Sequence, residues 1–165
     1  MDADRMRLLL RALMAFVLAA IAAYVIATLF FTSANLIRLS AVGAEITVAD
    51  AVRTFLFDVR GMAPSLLWTQ YGSLIFIGFA IAFPVAAVLR RFSMRSEAAR
   101  WIAPTLYPLA GATAIALILI LSYQTYEVFA FAGARGVLGS LAQCLAGAVG
   151  GYLFQIMLAR KEVRS

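Results

Sequence analysis

Four long stretches of this chain contain no charged residue, and no other feature of the sequence constrains the fold as strongly. The stretches cover residues 12–37, 61–89, 101–126 and 136–159. A helix of about 20 apolar residues rises ~30 Å, which is the thickness of the hydrocarbon layer of a membrane. Each stretch is therefore long enough to cross a bilayer. The sequence predicts an all-α integral membrane protein in which four transmembrane helices form a bundle.

Composition supports this prediction and excludes several classes of site. Hydrophobic residues make up 64% of the chain and charged residues 13%, against about 25% charged in a soluble domain. A length of 165 residues allows one transmembrane domain, 1–165, without a separate soluble module. The chain has one cysteine and no histidine, which excludes an intrachain disulfide, a cysteine-pair redox relay and bis-histidine haem. We expect no cofactor and no metal.

Basic residues gather at alternate ends of the four stretches, and their distribution predicts the orientation of the chain. One side of the membrane receives ten of them, namely Arg5, Arg7, Arg11, Arg90, Arg91, Arg95, Arg100, Arg160, Lys161 and Arg164. The other side receives four, namely Arg38, Arg53, Arg60 and Arg135. Cytoplasmic loops carry the excess of lysine and arginine, so both termini are predicted to be cytoplasmic. The net charge of +6 is explained in the same way, and no nucleic-acid partner is expected.

The flanking residues predict the limits of the spans. We expect transmembrane helices at about residues 8–31, 64–90, 101–125 and 136–159. The first could be a signal peptide, but its apolar core from Ala12 to Phe31 exceeds the ~7–15 residues usual for one. It is therefore predicted to be retained. Alanines at every fourth position give this helix a smooth face for a neighbouring helix: Ala15, Ala19, Ala23 and Ala27.

Prolines mark the second and third spans. Pro64 suits the first turn of a helix, because the N–H that it lacks would be unpaired there. Pro84 falls inside the second span and predicts a kink. Trp101 is expected at the start of the third span, with Pro104 and Pro108 in its first turns.

A shorter amphipathic helix is predicted between the first and second spans, at about residues 47–60. Apolar residues recur there with helical spacing, at Val48, Val52, Phe55, Leu56 and Val59. Thr47 is a suitable N-cap and Gly61 a suitable end. We expect this helix to lie flat on the extracytoplasmic surface, with its apolar stripe against lipid or the bundle.

The fourth span carries the clearest helix-packing surface. Small residues form two adjoining rows, which are Gly136, Ser140, Cys144 and Ala148 in one row and Gly139, Gly147 and Gly151 in the other. The spacing of Gly147 and Gly151 is the GxxxG pattern, which allows two helix backbones to approach closely. Packing within the chain is favoured over a contact between subunits. Gln143 and Gln155 on the same helix are expected to hydrogen-bond neighbouring helices.

Polar residues outside the spans form a second candidate site on the extracytoplasmic side. The set is Asp50, Arg53, Asp58, Arg60, Glu127 and Arg135. Asp50 and Asp58 lie about 12 Å apart along a helix, so they are not expected to form one catalytic dyad. Ion pairing with Arg53 and contact with headgroups account for both more simply. Glu127 is interpreted as an interfacial carboxylate that pairs with Arg135.

No motif in the sequence predicts a reaction. The chain has no glycine-rich phosphate loop, no zinc-spaced cluster and no nucleophile elbow. None of the four uncharged stretches contains a carboxylate or another charged residue that could serve as a buried proton relay. The favoured function is non-catalytic: a small multi-pass inner-membrane protein that packs against lipids and against a second copy or another membrane protein. Arginine outnumbers lysine thirteen to one and alanine is abundant, which is typical of a GC-rich bacterial genome.

Two alternatives remain open from the sequence. One is a channel or transporter for small solutes, formed by oligomerisation. The other is an enzyme that modifies lipid headgroups and uses the arginines between the second and third spans.

Overall fold

The computed structural model describes residues 3–64, 70–126 and 136–159, and these ranges are helical apart from short connections. In chain order the elements are α1 (Ala3–Ala41), α2 (Val48–Gly61), α3 (Tyr71–Ser93), a 3₁₀ helix (Glu97–Thr105), α4 (Leu106–Tyr126) and α5 (Val137–Ala159). Four segments are long and apolar enough to span a membrane: Arg5–Ala41, Tyr71–Ser93, Ala99–Gln124 and Val137–Ala159. The described chain is thus all-helical with four candidate membrane spans.

The four long helices pack in the order of the sequence around one core. α3 packs against α4, α4 against α5, and α5 against α1, while α1 and α3 contact each other less extensively. The centre is filled by side chains with almost no exposed surface, which are Tyr71, Ile75, Phe79, Ile115 and Gln143. Sequential packing of this kind is what short connections between membrane-spanning helices favour.

α1 is longer than its predicted span. It contains 39 residues, about 58 Å of helix, and continues beyond Phe31 to Ala41. In this added part of the helix, the hydroxyl of Thr32 donates to the side chain of Asp58 in α2. The helix ends at Ala41, and Gly43 follows it with a φ of 91°, which permits two closing bonds, from Gly43 N to Ser40 O and from Ala44 N to Leu39 O.

α3 begins at Tyr71, so the prediction that a helix starts at Pro64 was wrong. Met62 and Pro64 lie against the first turn of α3, where the N–H of Gly72 donates to the carbonyl of Met62 over 3.0 Å. A Cβ on Gly72 would lie 2.7 Å from the Pro64 ring, so glycine is needed for this approach. α3 then runs through Pro84 to Ser93, three residues beyond the predicted end.

The third candidate span, Ala99–Gln124, starts within two residues of its predicted limit at residue 101, but its α-helical part, α4, begins at Leu106. Trp101 and Pro104 belong to the preceding 3₁₀ helix, Glu97–Thr105. Pro108 falls in the first turn of α4, where its missing N–H costs no helical hydrogen bond. α5 begins at Val137 and ends at Ala159, within one residue of its predicted limits.

Candidate functional sites

The GxxxG glycines of α5 lie against the backbone of α4. A Cβ on Gly147 would collide with the backbone carbonyl of Gly111, and one on Gly151 would collide with the carbonyl of Tyr107. The sequence prediction identified Gly147 and Gly151 but not Gly111, which stands in an uninterrupted apolar run. These glycines make their contacts within the chain, where they allow α4 and α5 to pack closely together.

The alanine face of α1 receives the other side of α5. Ala15, Ala19, Ala23 and Ala27 are all buried, as their fourfold spacing predicts. A Cβ on Gly150 would lie 2.8 Å from the Cβ of Ala23. Gly150 was not included in the predicted rows, although it adjoins Gly151 in the sequence. α5 therefore has small residues on two sides: Gly147 and Gly151 face α4, and Gly150 faces α1.

The remaining residues of the predicted packing surface are less enclosed. Gly136 lies one residue before α5 with a φ of 90°, and a Cβ on this residue would meet open space. Its role is to permit a left-handed backbone conformation at the entry to the helix. Half-buried positions complete the set: Gly139, Ser140, Cys144 and Ala148.

Gln143 links three helices. The Tyr71 hydroxyl at the start of α3 donates to Gln143 Oε1 over 2.8 Å, and Gln143 Nε2 donates to the Ala27 carbonyl of α1 over 3.0 Å. The Gln143 side chain is 1% exposed, so these bonds are shielded from solvent. The role predicted for Gln143, bonding to neighbouring helices, is confirmed. Gln155 differs, because its Oε1 is buried without a hydrogen-bond partner in the described part of the chain.

Side chains of α1 hold the end of α2. The Tyr24 hydroxyl donates to the carbonyl of Val59, and the Thr32 hydroxyl donates to Asp58 Oδ2 over 2.6 Å. Thr32 is buried in α1, so Asp58 meets a buried hydroxyl at the α1–α2 contact. The interpretation of Asp58 as a partner of Arg53 did not include this contact. The last turn of α2 is thereby fixed to the bundle.

The other candidate residues of α2 lie on its exposed side. Asp50, Arg53 and Arg60 are all exposed, and Phe57 between them is 75% exposed. Their spacing of i, i+3, i+7 and i+10 places the four on one side of the helix. The sequence prediction missed Phe57, because an apolar residue among charges does not fit an amphipathic pattern.

Asp50 also caps α2. Asp50 Oδ2 accepts the hydroxyl of Thr47 over 2.6 Å and the Thr47 N–H over 3.1 Å, while the Asp50 N–H donates to the Thr47 hydroxyl over 3.2 Å. This reciprocal capping box confirms the N-cap predicted at Thr47. The Thr47 hydroxyl, and after it the Thr47 N–H, lower the pKa of the Asp50 carboxyl. Glu127 and Arg135, the remaining predicted pair, lie outside the described residues.

The opposite end of the bundle contains an aromatic cluster. Phe83 stacks on Phe154 with ring centroids 4.5 Å apart, and Tyr107 meets Phe154 edge to face at 5.1 Å. Phe16 of α1 contacts Phe83 at 6.2 Å. All four helices contribute to this cluster, which forms the floor of an open groove of about 410 Å³.

A second groove of about 520 Å³ runs between α3 and α4, and its lining from Leu74 to Leu121 is almost wholly apolar. Across the described ranges, no group of three or more histidine, cysteine, aspartate or glutamate side chains is arranged to hold a metal ion.

Four long apolar helices packed in sequence order define a multi-pass helical membrane protein. No protein-family model, curated protein or solved structure matches the chain.

Proposed function

We propose that this chain is a non-catalytic, multi-pass protein of the bacterial inner membrane that binds another membrane protein through α2. Both termini lie in the cytoplasm, as the ten-to-four distribution of basic residues favours. α2 is then on the extracytoplasmic side. The observation that carries the proposal is the exposed side of α2 on a helix whose opposite side is fixed to the bundle.

The residues around the circumference of α2 fall into three groups, and their properties support a position of this helix at the membrane surface. Asp58 and Val59 contact α1. Val48, Val52 and Leu56 form an adjacent exposed apolar stripe at i, i+4 and i+8. The side that carries Arg53, Phe57 and Arg60 completes the circumference. A helix with an apolar stripe beside a charged side is suited to the membrane surface, with the stripe in lipid and the charges in water.

The composition of the charged side favours a protein partner. We name this side the docking face and define it as Asp50, Arg53, Phe57 and Arg60. Aromatic residues and arginine are enriched at protein interfaces and dominate their binding energy. Phe57 is held away from the lipid stripe, so its exposed ring is available to a partner above the membrane. The contact with α1 fixes the backbone of α2, which reduces the entropy lost on binding.

The charges on the docking face favour a different protein as the partner over a second copy of this chain. Arg53 and Arg60 are exposed on the docking face, whereas the Asp50 carboxylate is bonded to Thr47. A twofold contact through this face would bring the arginines of one copy towards those of the other, which is unfavourable. The complementary surface is an apolar pocket with carboxylates at its rim. We infer that the partner is a different membrane protein with such a surface.

The filled centre of the bundle argues against a solute path through one chain. Ile75, Phe79 and Ile115 occupy the axis with essentially no exposed surface. A channel would therefore need to form between copies, and the glycines expected to support such contacts pack inside the chain at Gly111 and Tyr107.

In-cell photocrosslinking tests the proposal. A benzophenone amino acid replaces Phe57 on the docking face or, as a matched control, Val52 on the apolar stripe of the same helix. We expect a discrete protein adduct from position 57 and none from position 52, which faces lipid. Reversing both charges with Arg53→Glu and Arg60→Glu is expected to remove the adduct, whereas Arg91→Glu at the opposite end of the bundle retains it.

Three results would overturn the proposal. The absence of an adduct from position 57 would show that no partner binds at the docking face. An adduct of twice the mass of the chain would assign the face to self-association. Equal adducts from positions 52 and 57 would indicate collisions without a specific interface.

A further inference from the structure

Arg90 lies on the inward side of α3. The buried residues of this helix follow each other at intervals of three or four positions, at Ile75, Phe79, Phe83 and Ala86. Arg90 occupies the next position of that stripe, four residues after Ala86. Its side chain is half-buried, whereas that of neighbouring Arg91 is exposed. The positive-inside rule explains why arginines follow the span, but it does not require one of them to face inward.

The Arg90 guanidinium has hydrogen-bonding capacity that the described residues leave unused. It lies close to the Tyr107 hydroxyl of α4. Its Nε is buried without a hydrogen-bond partner in the described ranges. A guanidinium presents five N–H donors in a planar fork that matches a phosphate or a carboxylate. A buried donor without a partner is costly, so this position favours an anionic acceptor.

The open groove adjoins the same tyrosine. Aromatic rings form its floor, namely Phe16, Phe83, Tyr107 and Phe154. Small residues form much of its edge, namely Ala12, Ala80, Pro84 and Ala87. Ala80, Pro84 and Ala87 are exposed. The groove follows the boundary between α1 and α3, which contact each other less extensively than the other neighbouring pairs of long helices do. The groove of about 410 Å³ therefore opens sideways towards the lipid and has the size of a ligand site.

We propose that the groove and Arg90 together bind an anionic phospholipid. The hydrocarbon chain lies on the aromatic floor, and the headgroup phosphate accepts hydrogen bonds from Arg90 and from the Tyr107 hydroxyl. A phospholipid fits because the groove is apolar and opens to the membrane, while the guanidinium lies at the end of α3 where headgroups begin. The site is distinct from α2 and does not depend on the proposed partner.

Native mass spectrometry of the detergent-solubilised chain tests this site. The probes are phosphatidylglycerol and phosphatidylcholine with identical acyl chains, each added at increasing concentration. We expect one saturable site that prefers phosphatidylglycerol. Arg90→Gln is expected to weaken phosphatidylglycerol binding about tenfold or more, since hydrogen bonds to charged groups contribute that much. The matched control Arg91→Gln, at the exposed neighbour, is expected to change binding by less than about twofold.

A second pair of variants keeps Arg90 intact. Ala87→Leu extends an exposed side chain into the groove and is expected to weaken phosphatidylglycerol binding without unfolding the chain. Val88→Leu adds one methylene on the same helix, outside both grooves, and is expected to leave binding unchanged.

Several outcomes would overturn the proposal. Equal binding of the two lipids would show that the anionic headgroup is not recognised. Equal losses of phosphatidylglycerol binding from Arg90→Gln and Arg91→Gln would indicate attraction by a diffuse surface charge instead of a specific site. Unchanged binding in Ala87→Leu would place the lipid elsewhere. Displacement of phosphatidylglycerol by an equimolar amount of palmitate would assign the site to a fatty acid instead.

Discussion

The backbone of Gly147 in α5 lies directly against the backbone carbonyl of Gly111 in α4. The contact is reciprocal, because a Cβ on either residue would collide with the carbonyl of the other. One turn further along α5, Gly151 meets the carbonyl of Tyr107 in the same way. The glycine contact thus determines how closely Tyr107 approaches Phe154, whose rings form part of the groove floor. A packing device in the centre of the bundle also sets the geometry of the proposed lipid site.

Gly147→Ala is expected to destabilise the bundle. The added methyl group meets backbone atoms that cannot move aside like a flexible side chain, and overpacking of this kind costs about 1–3 kcal/mol. The free energy of unfolding in mixed micelles with increasing SDS measures the loss. Gly61→Ala is the matched control, since open space surrounds Gly61 at the end of α2. Equal stability of the two variants would show that the α4–α5 contact has room for a methyl group at position 147.

Gln143→Leu is expected to lower the free energy of unfolding by about 1–3 kcal/mol, because the Ala27 carbonyl and the Tyr71 hydroxyl both lose a buried partner. A double-mutant cycle with Tyr71→Phe should give a coupling energy of about 0.6–1.7 kcal/mol, which runs from the average to the largest value for hydrogen bonds between membrane helices. Gln155→Leu is the control on the same helix. Its Oε1 is buried without a partner among the described residues, so the exchange is expected to be neutral or stabilising. Additive effects of Gln143→Leu and Tyr71→Phe would contradict the proposed coupling.

The sequence predicted the elements whose limits depend on local chemistry. The bounds of α5 are correct within one residue, because a glycine precedes its apolar run and a charge follows it. The cap at Thr47 and the alanine face of α1 were also readable, since each depends on spacing within one helix. The start of α3, in contrast, could not be read from the sequence. Its position depends on a tertiary contact, in which Met62 and Pro64 lie against Gly72.

The direction of individual side chains was the main information missing from the sequence. Asp58 was assigned to the charged surface of α2, but it bonds to Thr32, which lies 26 residues earlier in the chain. Arg90 was interpreted from its position after an apolar span, and that position does not distinguish it from Arg91. A one-residue difference turns a helical side chain by about 100°, so neighbouring arginines can face the core and the solvent.

The orientation of the chain can be tested with single cysteines. In a Cys144→Ser background, Glu45→Cys and Ser96→Cys place exposed thiols at opposite ends of the bundle. We expect a membrane-impermeant maleimide to label position 45 in intact spheroplasts and position 96 only after permeabilisation. The reverse pattern would place both termini outside the cytoplasm and would move α2 to the cytoplasmic surface.

Acidification is expected to loosen the first turn of α2. Hydrogen bonds from Thr47 lower the pKa of the Asp50 carboxyl, so the ionised form is preferred in the folded helix. For a group with a lowered pKa, the stabilisation is complete above the ordinary value of about 4 and is lost as the pH falls through the folded value. A nitroxide on Val48→Cys, in a Cys144→Ser background, should therefore gain mobility between pH 7 and pH 3. A nitroxide on Arg60→Cys, at the other end of α2, should show no such change, because capping acts within the first turn. Asp50→Ala should make the label at position 48 mobile at both pH values, and a transition that persists in this variant would assign the titration to another group.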